Sequence, residues 1–230
     1  MRSKRAGAIP VLLLLQEDDF KMDELDFFLV DAAYVLHLKQ CENAARGFSR
    51  VPNVEYGQGR KPKFLCGVVL RVNGFDYFVP VSSYKLKQPD NFVIKVNSKI
   101  VSSLRFNYMI PCPTNVLSVR KIKTEPDAKY RWLLSRELDY CRLQQDRIRN
   151  LAERTYLRVT KRLDPNLVKN SCDFRLLEQA CLLYTEKSQS HQQPPLSSFS
   201  GRLHSAQSKA AALKAQRKTP TIPGKDEPTK

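Results

Sequence analysis

Residues 63 to 85, KFLCGVVLRVNGFDYFVPVSSYK, constrain the fold more than any other stretch, because two β-rich runs meet there at Asn73-Gly74. Phe64 to Val72 is apolar and β-branched, Asn73-Gly74 supplies two residues that tolerate φ > 0, and Phe75 to Val81 returns as a second strand. That combination predicts a β-hairpin closed by a type I′ turn. Phe75, Tyr77, Val79 and Val81 alternate with Asp76, Phe78 and Pro80, so both faces carry apolar groups and the hairpin is expected to be buried on both sides. Pro80 has no N–H for a ladder, so pairing should stop there or the strand should lie at an edge. Ser82, Ser83, Tyr84 and Lys85 then sit on a rigid rim or, in the plainer reading, simply turn the chain into a loop.

The chain has 230 residues and 42% hydrophobic side chains, enough for one ordinary domain with tails. Its 39 Lys and Arg against 23 Asp and Glu give a formal charge of +16. Residues 187–230 hold eight of those cations against two acids, leaving about +10 for the rest. Such a surplus points to a polyanionic partner: RNA, DNA or an anionic membrane surface. Six cysteines without a CxxC pair suggest neither a zinc site nor a disulfide framework, and fit a reduced, cytoplasmic protein. No stretch approaches the roughly 20 apolar residues that span a membrane. Ala6 to Leu15 imitates a signal peptide, but Gln16-Glu17-Asp18-Asp19 follows where small residues belong. An alternative is that translation starts at Met22, since Gln16-Glu17-Asp18 can be encoded by a purine-rich stretch resembling a ribosome-binding site.

Elsewhere, Leu25 to Lys39 reads as a strand followed by a short helix, with His37 a structural side chain. Gln40 to Lys61 is polar and punctuated by Gly and Pro, and reads as a long loop. Phe92–Val96, Leu104–Pro111 and Val116–Val119 read as strands, giving a sheet of five or six. From Lys129 a single long helix is expected, with Leu134, Leu138, Cys141, Ile148, Ala152 and Thr155 on its seam. Arg131, Arg142, Arg149 and Arg154 face the other way, either as a solvated surface or along a nucleic-acid backbone. Asp173 caps a last helix carrying Phe174, Leu177 and Cys181. The organisation expected is a leader over 1–21, a folded domain over 22–187 and a basic, disordered tail over 188–230.

The dense acidic groups, Glu17–Asp19 and Asp23–Asp26, lie in or beside the leader, which argues against two-metal catalysis. His191 and His204 lie in the tail, and no phosphate-binding glycine loop or nucleophile elbow is present. Lysine, serine and tyrosine around the hairpin remain. They suffice for RNA cleavage, because RNA brings its own nucleophile in the 2′-hydroxyl and the enzyme need only position it, move protons and stabilise the phosphorane. A lysine whose pKa is lowered by neighbouring positive charge could serve as base or acid. A basic RNA-binding module without catalysis is the competing reading.

VPN at 51–53, KFLCGVVLRVNGFDYFVPVSS at 63–83, Lys85, LRFNYMIP at 104–111 and CDFRLLE at 172–178 resemble, in order and spacing, the ToxN/AbiQ endoribonucleases. These are the toxins of type III toxin-antitoxin systems, and the likeness spans Asp26 to Glu186. It implies an α+β fold: a compact, highly twisted antiparallel β-sheet related to the MazF/Kid barrel, with packed helices. It also implies sequence-selective, metal-independent and cofactor-free cleavage of cellular or phage mRNA to 2′,3′-cyclic phosphate and 5′-hydroxyl ends. Inhibition by pseudoknotted antitoxin RNA repeats in a closed protein–RNA assembly, with no membrane involved, and abortive infection against phage complete the implied picture. By position, Lys63 falls near the scissile phosphate, Ser83 and Lys85 become the central catalytic pair with Ser82 in support, and Tyr34, six residues after Phe28, matches the family's early tyrosine. Tyr56 corresponds loosely to a second tyrosine, and Lys61, Tyr84 and Lys87 join it as RNA-binding residues. Tyr84 stands where proline is common, and the leader and the basic tail lie outside the resemblance.

Overall fold

The computed structural model describes residues 24–54 and 63–192, with side chains up to Glu186. The proposed leader, Tyr56, Lys61 and residues 193–230 of the basic tail therefore lie outside the described residues, while 188–192, expected to be disordered, continue the last helix. The described residues up to Tyr184 fall in one compact unit.

The chain enters with β1 (Asp26–Val30), followed by α1 (Ala32–Arg46), whose N-terminus is capped by the Asp31 carboxylate accepting from the Ala33 N–H at 2.7 Å. Such a cap stabilises a helix by roughly 1 kcal/mol. α1 runs seven residues beyond the expected short helix and ends only at Gly47, which takes the left-handed conformation (φ 75°). The first seven residues of the expected loop, 40–46, are thus helical, because one of them, Glu42, is buried and bonded to Arg46 one turn on, whereas 48–54 is irregular as expected. The hairpin follows as β2 (Leu65–Val72) and β3 (Phe75–Ser82), with Asn73 and Gly74 both at positive φ, as their sequence requires. Next come β4 (Asn91–Val96) and β5 (Lys99–Arg105), joined by Asn97 and Ser98, also at positive φ. A single strand over 104–111 is not formed. Leu104 and Arg105 end β5, a 3-10 turn covers Phe106–Tyr108, and Ile110–Pro111 form a short β6. β7 (Leu117–Val119) completes a seven-stranded sheet.

The sheet is antiparallel and twisted, in the order β4-β5-β3-β2-β1-β7, with β6 pairing β3 off that path. Its two outermost strands do not pair with each other, so the described sheet is open and not a closed barrel of the MazF/Kid kind. β3 is central, contrary to the expectation from Pro80. One edge of β3 pairs with β2; the other pairs with β6 at Tyr77–Phe78 and with β5 at Val81–Ser82. The Val81 N–H goes to the Phe64 carbonyl on the β2 side. Since successive residues of a strand point their N–H groups to opposite edges, Pro80 faces the gap between β6 and β5, where no donor is needed. Both faces of β3 are buried, as the alternation predicted. Opposite Phe78 the β2 register slips between Cys66 and Leu70, and Gly67 lies so close that an added Cβ would stand 2.2 Å from the Phe78 ring.

α2 (Ala128–Leu143) and α3 (Gln145–Thr160) replace the single helix expected from Lys129. The six seam residues are all buried, yet the helix breaks at Gln144 with no Gly or Pro to announce it. α2 packs on β4 and β1, and α3 on β2, so the turn is imposed by the sheet beneath. The short α4 (Pro165–Lys169) starts on an Asp164 cap with Pro at its first turn, and α5 runs Phe174–Gln192 from an Asp173 cap. α1 and α5 lie against each other through Tyr34 and Tyr184 (ring centroids 5.0 Å apart) and through His37, whose Nε2 donates to the Ala180 carbonyl at 3.0 Å. His37 is a satisfied structural side chain. No helix among the described residues is long and apolar enough to cross a membrane.

Candidate active site

Two buried carboxylates set the frame. Glu42 has no exposed surface and accepts from the Arg46 guanidinium, the Ser49 hydroxyl and the N–H groups of Arg50, Val51 and Asp173. It thereby fixes the path of the VPN segment after α1 and the start of α5. Asn53 of that segment accepts a hydrogen bond from Lys39 Nζ, and the next carbonyl, that of Val54, accepts from the Lys63 N–H at 3.2 Å. The buried carboxylate thus reaches, through one short stretch of chain, the lysine at the mouth of β2. On the far side, Glu178 gathers the Tyr156 hydroxyl at 2.7 Å, the Tyr77 hydroxyl at 3.0 Å and the Asn73 amide at 3.5 Å, with Arg175 on its other oxygen. Burial, and then the bond to Glu178, push the Tyr156 phenol up to about 12, so it stays a donor. This is the physical content of the CDFRLLE block: it ties the hairpin tip to α3 and α5.

The rim lies at the other end of the hairpin. Leu65 pairs with Pro80, and the Val81–Phe64 bond continues that register, which sets Lys63 opposite Ser82 with both side chains on one face. Ser82 in turn pairs with Ser103 of β5, two residues from Arg105. Lys63 is half-buried, and its amine is held below the ordinary lysine value by that burial and by the charges of Lys39 and Arg105. Ser82 Oγ accepts from the Tyr84 N–H at 3.2 Å, turning the chain outward so that Ser83, Lys85 and Lys87 are exposed. The turn is pinned from behind: Ser103 Oγ donates to the Tyr84 carbonyl at 2.6 Å, and Asn91 bonds the Leu86 carbonyl and the Gln88 N–H, each at 2.8 Å. The segment is in this way kept from collapsing onto the sheet.

Of the sequence-derived site residues, Lys63, Ser82, Ser83, Tyr84, Lys85 and Lys87 therefore gather at one rim. Tyr34 does not join them at the surface. It has no exposed area, donates its hydroxyl to the Pro111 carbonyl at 2.6 Å, and has its pKa raised far above the ordinary tyrosine value by burial. In this conformation it holds α1 to β6 and does not reach solvent. Arg105 and Lys39, the two cations that act on Lys63, were not singled out by sequence, nor were Asn91, Ser103 or Glu42. Arg105 sits inside the LRFNYMIP block, which was its only signal.

Half of the arginine face predicted for the long helix proves structural. Arg142 bonds the Leu25 carbonyl at 2.8 Å and the Asp26 carboxylate at 3.3 Å, and Arg131 bonds the Glu125 carbonyl. Arg154 instead joins Lys87, Lys95 and Arg147 around a cavity of about 720 Å³ between β4 and α3. No carboxylate lines that cavity, and the Arg147 guanidinium lies 5.6 Å from the Phe92 ring. A basic track leads from the rim across this face. Among the described residues no group of His, Cys, Asp and Glu side chains is placed to hold a metal ion.

Residues 26–182 match the family described as toxin ToxN of type III toxin-antitoxin systems. The chain belongs to the ToxN family. It is 30% identical over 179 residues to the endoribonuclease AbiQ of Lactococcus lactis subsp. lactis, covering 71% of this chain and 91% of that one. Against the endoribonuclease ToxN of Bacillus thuringiensis subsp. kurstaki the identity is 29% over 181 residues, or 73% and 88% of the two chains. Among solved structures, a type III toxin studied for its selective inhibition by a non-coding RNA pseudoknot superposes with a TM-score of 0.62 at 27% identity, over 71% of this chain and 99% of that one. The lactococcal anti-phage endoribonuclease AbiQ gives 0.61 at 26% identity with the same coverage. ToxN-family membership thus rests on nearly the whole span from β1 to α5.

Proposed function

We propose that this ToxN-family chain is the toxin of a type III toxin-antitoxin system, an endoribonuclease that acts on cellular or phage mRNA in the cytoplasm and serves phage defence by abortive infection. Antitoxin RNA repeats, folded as pseudoknots, inhibit it by occupying the rim and the basic track in a closed protein–RNA assembly. The relatives named as endoribonucleases support the activity, and the structure studied with an RNA pseudoknot supports the inhibitor. The observation that carries the chemistry is the lowered basicity of Lys63, opposite Ser82 and beside two further cations.

Cleavage is metal-independent in this reading. The neutral Lys63 amine takes the proton of a ribose 2′-hydroxyl, the 2′-oxygen attacks the adjacent phosphorus, and the bond to the 5′-oxygen breaks. The departing oxygen takes a proton from the Lys85 side chain, leaving a 2′,3′-cyclic phosphate and a 5′-hydroxyl. Lys85 and the Ser83 hydroxyl hold the non-bridging oxygens as charge builds on them, with Ser82 fixing the turn that presents both. Tyr34 contributes by position alone, from within the core.

The test is incubation of wild type and Ser83→Ala with a long mixed-sequence RNA in excess EDTA, followed by mapping of fragment ends. Defined cuts by wild type only, with cyclic phosphate and 5′-hydroxyl termini, are expected. Tight, salt-sensitive binding with no cuts by either protein would replace this reading with a non-catalytic RNA-binding module.

A further inference from the structure

Beside the rim lies a second cavity of about 400 Å³ whose walls differ from those of the basic track. It is bounded by Gln88 of the rim loop, Arg105 at the end of β5, Asn107 and Tyr108 just after it, Arg158 of α3 and Asn166 of α4. Resting on the ribonuclease reading above, we infer that this cavity takes one unpaired nucleobase flanking the scissile phosphate and sets the sequence preference of cleavage.

Position is the first argument. Arg105 lines the cavity and lies two residues along β5 from Ser103, which pairs with Ser82 opposite Lys63, so the pocket lies one strand away from the proposed base. Gln88 is three residues from Lys85, and its side-chain amide bonds the Tyr84 hydroxyl at 3.3 Å. A strand of RNA whose phosphate sits at the rim has a neighbouring base within reach.

The second argument is the shape of the chemistry. The Arg105 guanidinium lies 4.4 Å from the Tyr108 ring centroid and 5.2 Å from that of Tyr84, an alternation of flat cation and flat ring. Unstacked bases are held on such surfaces. Charge in the cavity is largely balanced, because Arg158 pairs with Asp164 at 2.6 Å and Asp90 also lines the wall. The four-cation cavity around Lys95 suits phosphates; a balanced wall rich in amides suits a base.

Third, two polar atoms in these walls are buried and lack a hydrogen-bond partner: Arg105 Nε, a donor, and Asn107 Oδ1, an acceptor. Folded proteins leave few such groups. Asn107 is only 2% exposed, and its amide nitrogen donates to the Asn170 carbonyl at 2.8 Å, which leaves the oxygen as the unused end. A donor and an acceptor in the walls of one cavity are the kinds of group that a nucleobase edge pairs with, and a good two-bond pairing discriminates between bases by roughly 5- to 150-fold.

The experiment compares cut sites in a randomised single-stranded RNA pool for wild type, Tyr108→Leu, Asn107→Leu and Asn166→Ala. Asn166 is exposed, so its variant keeps the test open if Asn107→Leu does not fold. Base preference at one position beside the cut is expected to fall about tenfold for Tyr108→Leu and Asn107→Leu and about threefold for Asn166→Ala, while cutting at sites without the preferred base changes less than about twofold. An unchanged preference, or a uniform loss of rate at every site, would overturn the pocket. Binding of short RNAs of defined sequence is measured alongside. If wild type binds with base preference but never cuts, the ribonuclease reading fails while loss of that preference in the variants still supports the pocket; unchanged binding preference would sink it.

Discussion

Two charge clusters in this molecule are built on opposite rules. Around Glu42 and Glu178, a buried carboxylate is surrounded by donors until its lone pairs are used. Around Lys63, burial and then the like charges of Lys39 and Arg105 hold one amine below its ordinary pKa. The first arrangement lowers the energy of the fold; the second raises the energy of one protonation state, as the proposed role of Lys63 requires. Both are supplied by the same few segments, because the VPN stretch fixed by Glu42 is the one that carries Asn53 and Val54 to Lys39 and Lys63. Scaffold and proposed site are thus separated by sign of charge and not by region of chain.

The difference can be tested from its largest consequence downward. Glu42→Ala takes the carboxylate from the part-buried Arg46 charge, which keeps only the Ser171 carbonyl, and leaves the N–H groups of Arg50 and Asp173 without their acceptor, so a loss of about 3–5 kcal/mol in denaturant unfolding is expected. A loss under 1 kcal/mol would show that water replaces the carboxylate. Lys85→Ala should do the reverse: RNA cleavage drops roughly 10²- to 10³-fold while stability moves within about 0.5 kcal/mol, because the side chain is exposed. Equal loss of both quantities would place Lys85 in the scaffold. Gly67→Ala forces a methyl against the Phe78 ring, and a destabilisation of about 1–3 kcal/mol is expected, read as a lower melting temperature. An unshifted melting temperature would mean that β2 yields at its register slip. Lys39→Met is the subtlest. Removing that positive charge lets the Lys63 pKa rise, so less amine is neutral at a given pH and the acid limb of the pH–rate profile moves to higher pH. An acid limb that stays put would detach Lys63 from the rate.

How much of this was legible follows from the range of each interaction. The β2–β3 hairpin was readable because its determinants are local: two residues that accept positive φ, between two runs that alternate. The rim was readable as a cluster of residue types, and the resemblance set Lys63, Ser82, Ser83 and Lys85 in it by position. What escaped was non-local. Polarity after Lys39 looked like loop because nothing nearby reveals that Glu42 meets Asp173, 131 residues on. The break at Gln144 answers to the sheet under two helices, and the central place of Pro80 answers to the gap between β6 and β5. Tyr34 kept its position in the pattern, but only packing shows that its hydroxyl is spent on Pro111. Arg105 was hidden for a similar reason: its effect on Lys63 crosses from one strand to another.

The two carboxylate clusters also carry a statement about the order of assembly. Glu42 closes through Asp173, and the hairpin tip and Tyr77 close through Glu178, more than a hundred residues after the segments they secure. On a ribosome, α1 and the β2–β3 hairpin emerge early and must wait for the segment 173–178 before either anchor is complete. The rim is therefore delivered late and all at once, and a chain cut short before Asp173 would carry every proposed catalytic residue on a scaffold that has yet to lock.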